Sequence, residues 1–226
     1  MLERVSQRIA PSPAMSRGEL PVNIVTYGDS ISCVGRPKDY FGGASWERMN
    51  WAYQLQRLLA TEFPGTFVMK PFGVGGQNAY EGLGRFPWLA ELDPHLVLIA
   101  LGGNDCGWHE IPPYCSAHAI KPLALGIRHD FGAAVDILGP AGDCPTAKQT
   151  VHPDETIDAL RKVAVEIGAP FVEIRAAMLA ATDNGRLYTD FHHSLTDNHP
   201  NDRGHGLWAA AVFDVLKANI RCEGGK

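Results

Sequence analysis

Three stretches far apart in the chain hold residues that could together transfer an acyl group: "TYGDSIS" with Ser30, "ALGGNDCG" with Asn104, and "DNHPND" with His199. A serine hydroxyl is a weak nucleophile until a base takes its proton, and the oxyanion formed on attack needs donors already aimed at it. Histidine is the natural base. Asparagine supplies a neutral side-chain donor, and the glycine turn "PFGVGGQNA" offers a main-chain N–H that no Cβ shields, with Gly73 as the candidate.

Such residues act together only if the fold gathers them. From Val22 onward, apolar runs of strand length alternate with segments of helical period, the pattern of an α/β protein with a parallel sheet. Strands are expected at Val22–Tyr27, Thr66–Phe72, Leu96–Leu101, Ala134–Leu138 and Phe171–Ile174. Amphipathic helices are expected at Trp46–Thr61, Asp154–Ile167 and Gly204–Ile220. Just past the first three strands come Gly28-Asp29-Ser30, the turn from Gly73 to Gly76, and Gly102-Gly103-Asn104-Asp105. A doubly wound sheet binds ligands at that edge. The stretch Trp108–Arg128 holds three prolines and no clean period where a crossover should carry a helix. Residues 1–20 show no sustained period and read as a leader or linker, which leaves 21–226 as one domain.

Composition narrows the partners. The chain has 226 residues, 45% hydrophobic and 20% charged, enough to bury a single core. A formal charge of −5 with scattered Lys and Arg gives no footprint for nucleic acid. No run approaches the roughly 18 apolar residues of a membrane span, and the N-terminus lacks the apolar centre of a signal peptide. Cys33, Cys106, Cys115, Cys144 and Cys222 are odd in number and lack metal-type spacing, which fits free thiols in a reducing compartment. A cytoplasmic location is the expectation.

The motifs, taken in order, resemble the SGNH/GDSL hydrolase family, whose members use Ser, Gly, Asn and His from four sequence blocks. The blocks here are "YGDSIS" (Ser30), "PFGVGGQNA" (Gly73), "ALGGNDCG" (Asn104) and "DNHPND" (His199), and the resemblance runs from about Val22 to the end. It implies a three-layer α/β/α, flavodoxin-like fold and ester hydrolysis through an acyl-enzyme, with no cofactor. Ser30 would attack, His199 would carry the proton, and the Ser30 and Gly73 N–H groups with the Asn104 amide would hold the oxyanion. Two departures stand out. Pro71 and Phe72 precede the glycine turn where the family often has Asn, and Thr196 occupies the position three before the histidine where it typically has Asp. Asp197 is therefore the carboxylate expected to orient His199, ahead of Asp190 and of Asp202, which is read as a helix cap.

Other readings of the same residues stand beside this one. Ser30 alone reads as a helix cap. Asp29 and Asp105 read as structural, and His205 and Trp208 as packing or rim residues. Asp190, His192, His193, Asp197, His199, Asp202 and His205 crowd one segment and suggest a metal-dependent hydrolase, though without a regular ligand spacing. A non-catalytic ligand-binding module on the same fold is the third reading. For an esterase, the absence of a long apolar lid segment favours short acyl groups. Trp46, Trp51, Trp88 and Trp108 read either as stacking surfaces for a sugar or as core, and the expected substrate is an O-acetyl carbohydrate or another short acyl ester.

Overall fold

A computed structural model describes residues 21–33, 50–107, 111–141, 153–184, 186–194 and 198–223. Five strands form one sheet: β1 (Val22–Gly28), β2 (Phe67–Gly73), β3 (Leu96–Ala100), β4 (Ala134–Leu138) and β5 (Phe171–Val172). Their order is β2-β1-β3-β4-β5, and every pairing is parallel. Every residue of β3 and β4 is buried, because helices cover both faces of a parallel sheet.

Around the sheet lie α1 (Trp51–Glu62), α2 (Ala79–Arg85), α3 (Gly103–Cys106), α4 (Pro113–Phe131), α5 (Pro153–Ile167), α6 (Ile174–Ala181), α7 (Tyr188–Phe191) and α8 (Asp202–Glu223). Strand alternation divides the core in two. Ile24, Leu98 and Leu138 pack with Leu55 of α1, Met178 of α6 and Val212 of α8. On the other face, Val25, Tyr27 and Ile99 meet Ala79 of α2, Leu123 of α4 and Leu160 of α5. The result is the three-layer arrangement expected from the sequence. Among the described residues, no helix is long and apolar enough to cross a membrane.

The stretch that resisted a periodic reading is helix α4. Pro112 and Pro113 stand at its start, where a missing N–H costs nothing, but Pro122 lies inside it. An interior proline costs roughly 3 kcal/mol. Against that, Ser116, Ala119, Ile120, Leu123, Ala124 and Ile127 form one buried face. Burying each large aliphatic side chain contributes about 1.5–3 kcal/mol, so the three of them outweigh the lost bond.

Smaller differences have local causes. β5 stops at Val172, because Ile174 opens α6 and packs into the core instead of extending the strand. Helix α8 starts at Asp202, two residues before the expected Gly204. The expected start of the first helix, Trp46, lies outside the described residues, as do residues 1–20 and Trp108. Within the described part that helix begins at Trp51, capped by the Asn50 side chain, which accepts from the Ala52 N–H. Cys33, Cys106 and Cys115 form no disulfide.

Asp136 is the conspicuous polar residue of the core. It sits in the middle of β4, is 3% exposed, and its Oδ2 has no hydrogen-bond partner. Burial pushes its carboxyl from 3.8 up to about 7, with Arg128 opposing. The folded value lies above the unfolded one, so between about 4 and 7 the folded state holds more proton, and stability falls as pH rises through that window. Asp136→Asn should raise the thermal midpoint more at pH 8 than at pH 5. Equal midpoint shifts at the two pH values would show that Asp136 does not titrate this way.

Candidate active site

The strand order places a topological switch between β1 and β3. From β1 the chain crosses to one neighbour, β2, and then returns past β1 to the other, β3. Ser30 follows the first of these two strands and Asn104 the second, so the fold brings both to the crevice where the sheet reverses direction.

Past Gly28 the chain enters a single tight helical turn, Ser30–Ser32, and the cap of that turn is Asp29. Its Oδ1 accepts from the Ile31 N–H at 3.0 Å. The cap reading of Ser30 is thus replaced by its neighbour, and the Ser30 hydroxyl is left for another partner. Asn50, while capping α1, also donates through Nδ2 to the Ile31 carbonyl at 2.8 Å, and the Trp51 indole donates to Ser32 Oγ at 3.3 Å. The turn is therefore fixed from the side of α1.

The partner of Ser30 is His199: Oγ and Nε2 lie 2.9 Å apart, although 169 residues separate them in sequence. The loop that carries His199 is held by Asn201. That side chain accepts from the N–H groups of Arg203 and Gly204 and donates to the carbonyls of Asp190 and His192. Asn201 thus takes the capping role expected of Asp202, which instead begins α8. Asp190 turns toward Arg203, 3.8 Å away, at the surface. Asp197, the carboxylate expected to orient the base, lies outside the described residues.

Below this loop, His205 is 3% exposed and accepts from the Trp51 N–H through Nδ1 at 3.3 Å. Burial, and then the neighbouring His193, His199 and His192, push its pKa down to about 3. His205 stays neutral near pH 7, so it does not oppose a proton arriving on His199. Among the described residues, no three His, Cys, Asp or Glu side chains converge in a way that could hold a metal ion. His192 stacks on Tyr188 at 3.7 Å between ring centroids.

Asn104 and Asp105 occupy the short helix α3 and are both buried. Asn104 donates through Nδ2 to the Gln77 carbonyl at 2.9 Å, with a longer contact of 3.5 Å to Asp29 Oδ2. Asp105 accepts from the Ala79 N–H at 3.0 Å and from Ser116 Oγ at 2.8 Å, so it joins α2, α3 and α4 at their starts, the bracing role expected of it. Asp29, also buried, has its carboxyl raised to about 7 by desolvation, opposed by the Ile31 N–H.

Gly73 is placed differently from the expectation. It pairs with Gly28 at the end of β2, and a Cβ there would lie 2.4 Å from the Cys33 nitrogen. Glycine at this position lets the Ser30 turn close onto β2. The next residue, Val74, donates to the Gly28 carbonyl at 3.0 Å. Successive N–H groups of a strand point to opposite sides, so the Gly73 N–H faces away from β1 and from Ser30. Gly76, with φ 77°, precedes the Gln77 carbonyl that holds Asn104.

The tryptophans also separate. Trp51 is buried against Trp208, and Trp88 is exposed on the segment after α2 that leads toward the start of β3, away from the strand ends. Among the described residues, Tyr80 and Tyr114 are exposed aromatics in the first turns of α2 and α4. Sequence reasoning also passed over Gln77 and Asn201, which lie inside the second and last motif blocks, and Arg85, which lies outside all four. For Arg85 the one available signal was a cation in a segment otherwise lacking basic residues from Pro71 to Leu92.

The chain is an α/β/α protein with a parallel doubly wound sheet and a serine–histidine contact at its switch point. The GDSL-like lipase/acylhydrolase family model matches residues 26–207, and the chain belongs to that family. It is a carboxylic ester hydrolase. Comparison with curated proteins finds no match. Among solved structures, a GDSL-like lipase of Parabacteroides merdae shares the fold with TM-score 0.72 at 17% identity, covering 88% of this chain and 98% of its own. The acetyl xylan esterase AlAXEase superposes with TM-score 0.70 at 16% identity, over 86% of this chain and 100% of that one. An acetylxylan esterase from Geobacillus stearothermophilus gives TM-score 0.67 at 19% identity, over 86% and 94%.

Replacing Asp105 with Ala strands two buried donors, each costing about 1–3 kcal/mol. Asp105→Ala should therefore show a clearly lower urea midpoint with an unchanged m-value. A wild-type midpoint would mean that the three helix starts are held by something else.

Proposed function

We propose that the protein hydrolyses short-chain acyl esters, O-acetyl carbohydrates among them, through an acyl-enzyme on Ser30. The observation that carries this reading is the 2.9 Å approach of Ser30 Oγ to His199 Nε2 at the switch point of the sheet. His199 takes the serine proton as the hydroxyl attacks the ester carbon, and gives it to the departing alcohol. Water then repeats the cycle, and the acid leaves. Asp197 is assigned to hold the other imidazole nitrogen, on the strength of its place two residues before the base.

The oxyanion is assigned to the Ser30 N–H, the Asn104 amide and a main-chain N–H of the turn between β2 and α2. Gly76 is the donor chosen from that turn, in place of Gly73, because the ladder points the Gly73 N–H outward. One Asn104 hydrogen is fixed by the Gln77 carbonyl at 2.9 Å, and the 3.5 Å contact to Asp29 is weak enough to yield to a developing charge.

The substrate class rests on different support. Short acyl groups fit a sequence without a long apolar lid segment. Tyr80 and Tyr114 stand exposed in the first turns of the two helices that Asp105 joins, and they are assigned as stacking surfaces for a sugar leaving group. The acetylxylan esterase activity in the names of two solved structures belongs to those proteins, and makes acetylated xylan the first polysaccharide to assay.

A serine-directed fluorophosphonate should label the protein once, at Ser30, and not at all in Ser30→Ala. Turnover should be highest for acetyl and fall with chain length across acyl p-nitrophenyl esters. Asn104→Ala should lose on the order of 10²–10³ in kcat with little change in KM. Full activity in Ser30→Ala would overturn the mechanism, and a preference for long acyl chains would overturn the substrate class.

A further inference from the structure

We infer that Arg85 is a positioning residue for the oxyanion site, one buried guanidinium whose hydrogen bonds link the loops that carry Ser30, Gly76 and Asn104. This rests on the site assignment proposed above and adds a residue outside the four motifs. Arg85 ends α2 and is 3% exposed. Its Nη2 donates to the Gly28 carbonyl at 2.8 Å and its Nη1 to the Phe72 carbonyl at 3.1 Å. Its Nε donates to Gln77 Oε1.

Those acceptors share a relation to the chemistry. Gly28 lies two residues before Ser30. Phe72 is the next-to-last residue of β2, just ahead of the β2–α2 turn, and Gln77 follows Gly76 and holds Asn104 through its own carbonyl at 2.9 Å. The guanidinium carbon sits 3.9 Å from the centroid of the Tyr27 ring and 4.7 Å from that of Phe72, which fixes its plane. The Tyr27 hydroxyl in turn donates to the Gly82 carbonyl, tying α2 to β1.

A planar fork with fixed donor directions spans three acceptors at once, and an ammonium on a flexible stem does not. Helix packing alone could hold α2 without a charged end, since an aliphatic side chain fills the same space between two aromatic rings at no desolvation cost. What the guanidinium adds is a set distance between the ends of β1 and β2 and the Gln77 side chain. Movement of any of these shifts an oxyanion donor relative to Ser30 Oγ. A misplacement of about 1 Å costs on the order of 10² in rate, so the effect belongs in kcat.

The test is steady-state kinetics on a short acyl ester, with active sites counted by fluorophosphonate so that kcat is expressed per reactive Ser30. Arg85→Lys should lower kcat by on the order of 10², with KM changed by less than about threefold. Gln77→Leu, which cuts only the Nε link, should lower kcat in the same way to a smaller extent. Arg85→Ala should fall as far as Arg85→Lys and recover saturably with millimolar guanidinium but not with methylammonium. If Arg85→Ala fails to fold, the other two variants still decide the matter. Wild-type kcat per labelled site in folded Arg85→Lys and Gln77→Leu would overturn the inference. If Ser30→Ala stays active and unlabelled, the underlying site assignment is what has failed.

Discussion

Parallel pairing of β1 with both β2 and β3 is the constraint from which the site follows. Because β1 lies between them, its carboxyl end is flanked by the two strand ends that carry the β2–α2 turn and Asn104. A serine placed two residues beyond β1 is then within reach of both. The two Gly28 pairings, with Gly73 and with Ala100, set the level at which each strand gives way to its loop. The histidine comes from elsewhere: α8 returns along the outer face, packs on α1, and delivers the loop before it to the same edge. Close packing at Gly204, where a Cβ would lie 2.2 Å from the Phe191 carbonyl, fixes how near that helix start approaches.

The buried charges near this edge each have a defined role. His205 is kept neutral by burial and accepts a main-chain N–H from Trp51. Asp105 is satisfied by two donors and braces three helix starts. Asp29 caps the Ser30 turn while burial raises its carboxyl to about 7. Burial lowers the Arg85 pKa, with Tyr27 and Asp29 opposing, and its guanidinium donates to two carbonyl oxygens and an amide oxygen. Sheet end, turn and base are thus connected through polar contacts made in the protein interior, where such contacts are strong.

Much of the fold was legible because strand and helix leave different periods in the sequence. The five strands and the helices α1, α5 and α8 are recovered with small shifts of their ends. Helix α4 was hidden because Pro122 stands inside it on the exposed side, and a proline inside a helix reads as a break until the buried face is counted. Ser30, Asn104 and His199 were legible as ends of strands and as a motif, and the fold gathers them at one edge. At Gly73 the sequence leaves two readings, since glycine marks both a donor without a side chain and a point of close contact, and the fold shows the close contact with Cys33. Asn201 was overlooked in favour of Asp202 since both residue types cap helices and only the helix boundary decides. Arg85 was invisible for another reason: its three acceptors are two carbonyls and an amide from elements far apart, which no local pattern announces.

The central claim is covalent: the acyl group passes from substrate to Ser30 Oγ before it meets water. Acid-quenched mass spectrometry during turnover of an activated acetyl ester tests this directly. The account predicts a transient increment of one acetyl group on the peptide that carries Ser30, decaying as substrate is exhausted. Sustained turnover with the increment on another residue, or with none on any peptide, would contradict it.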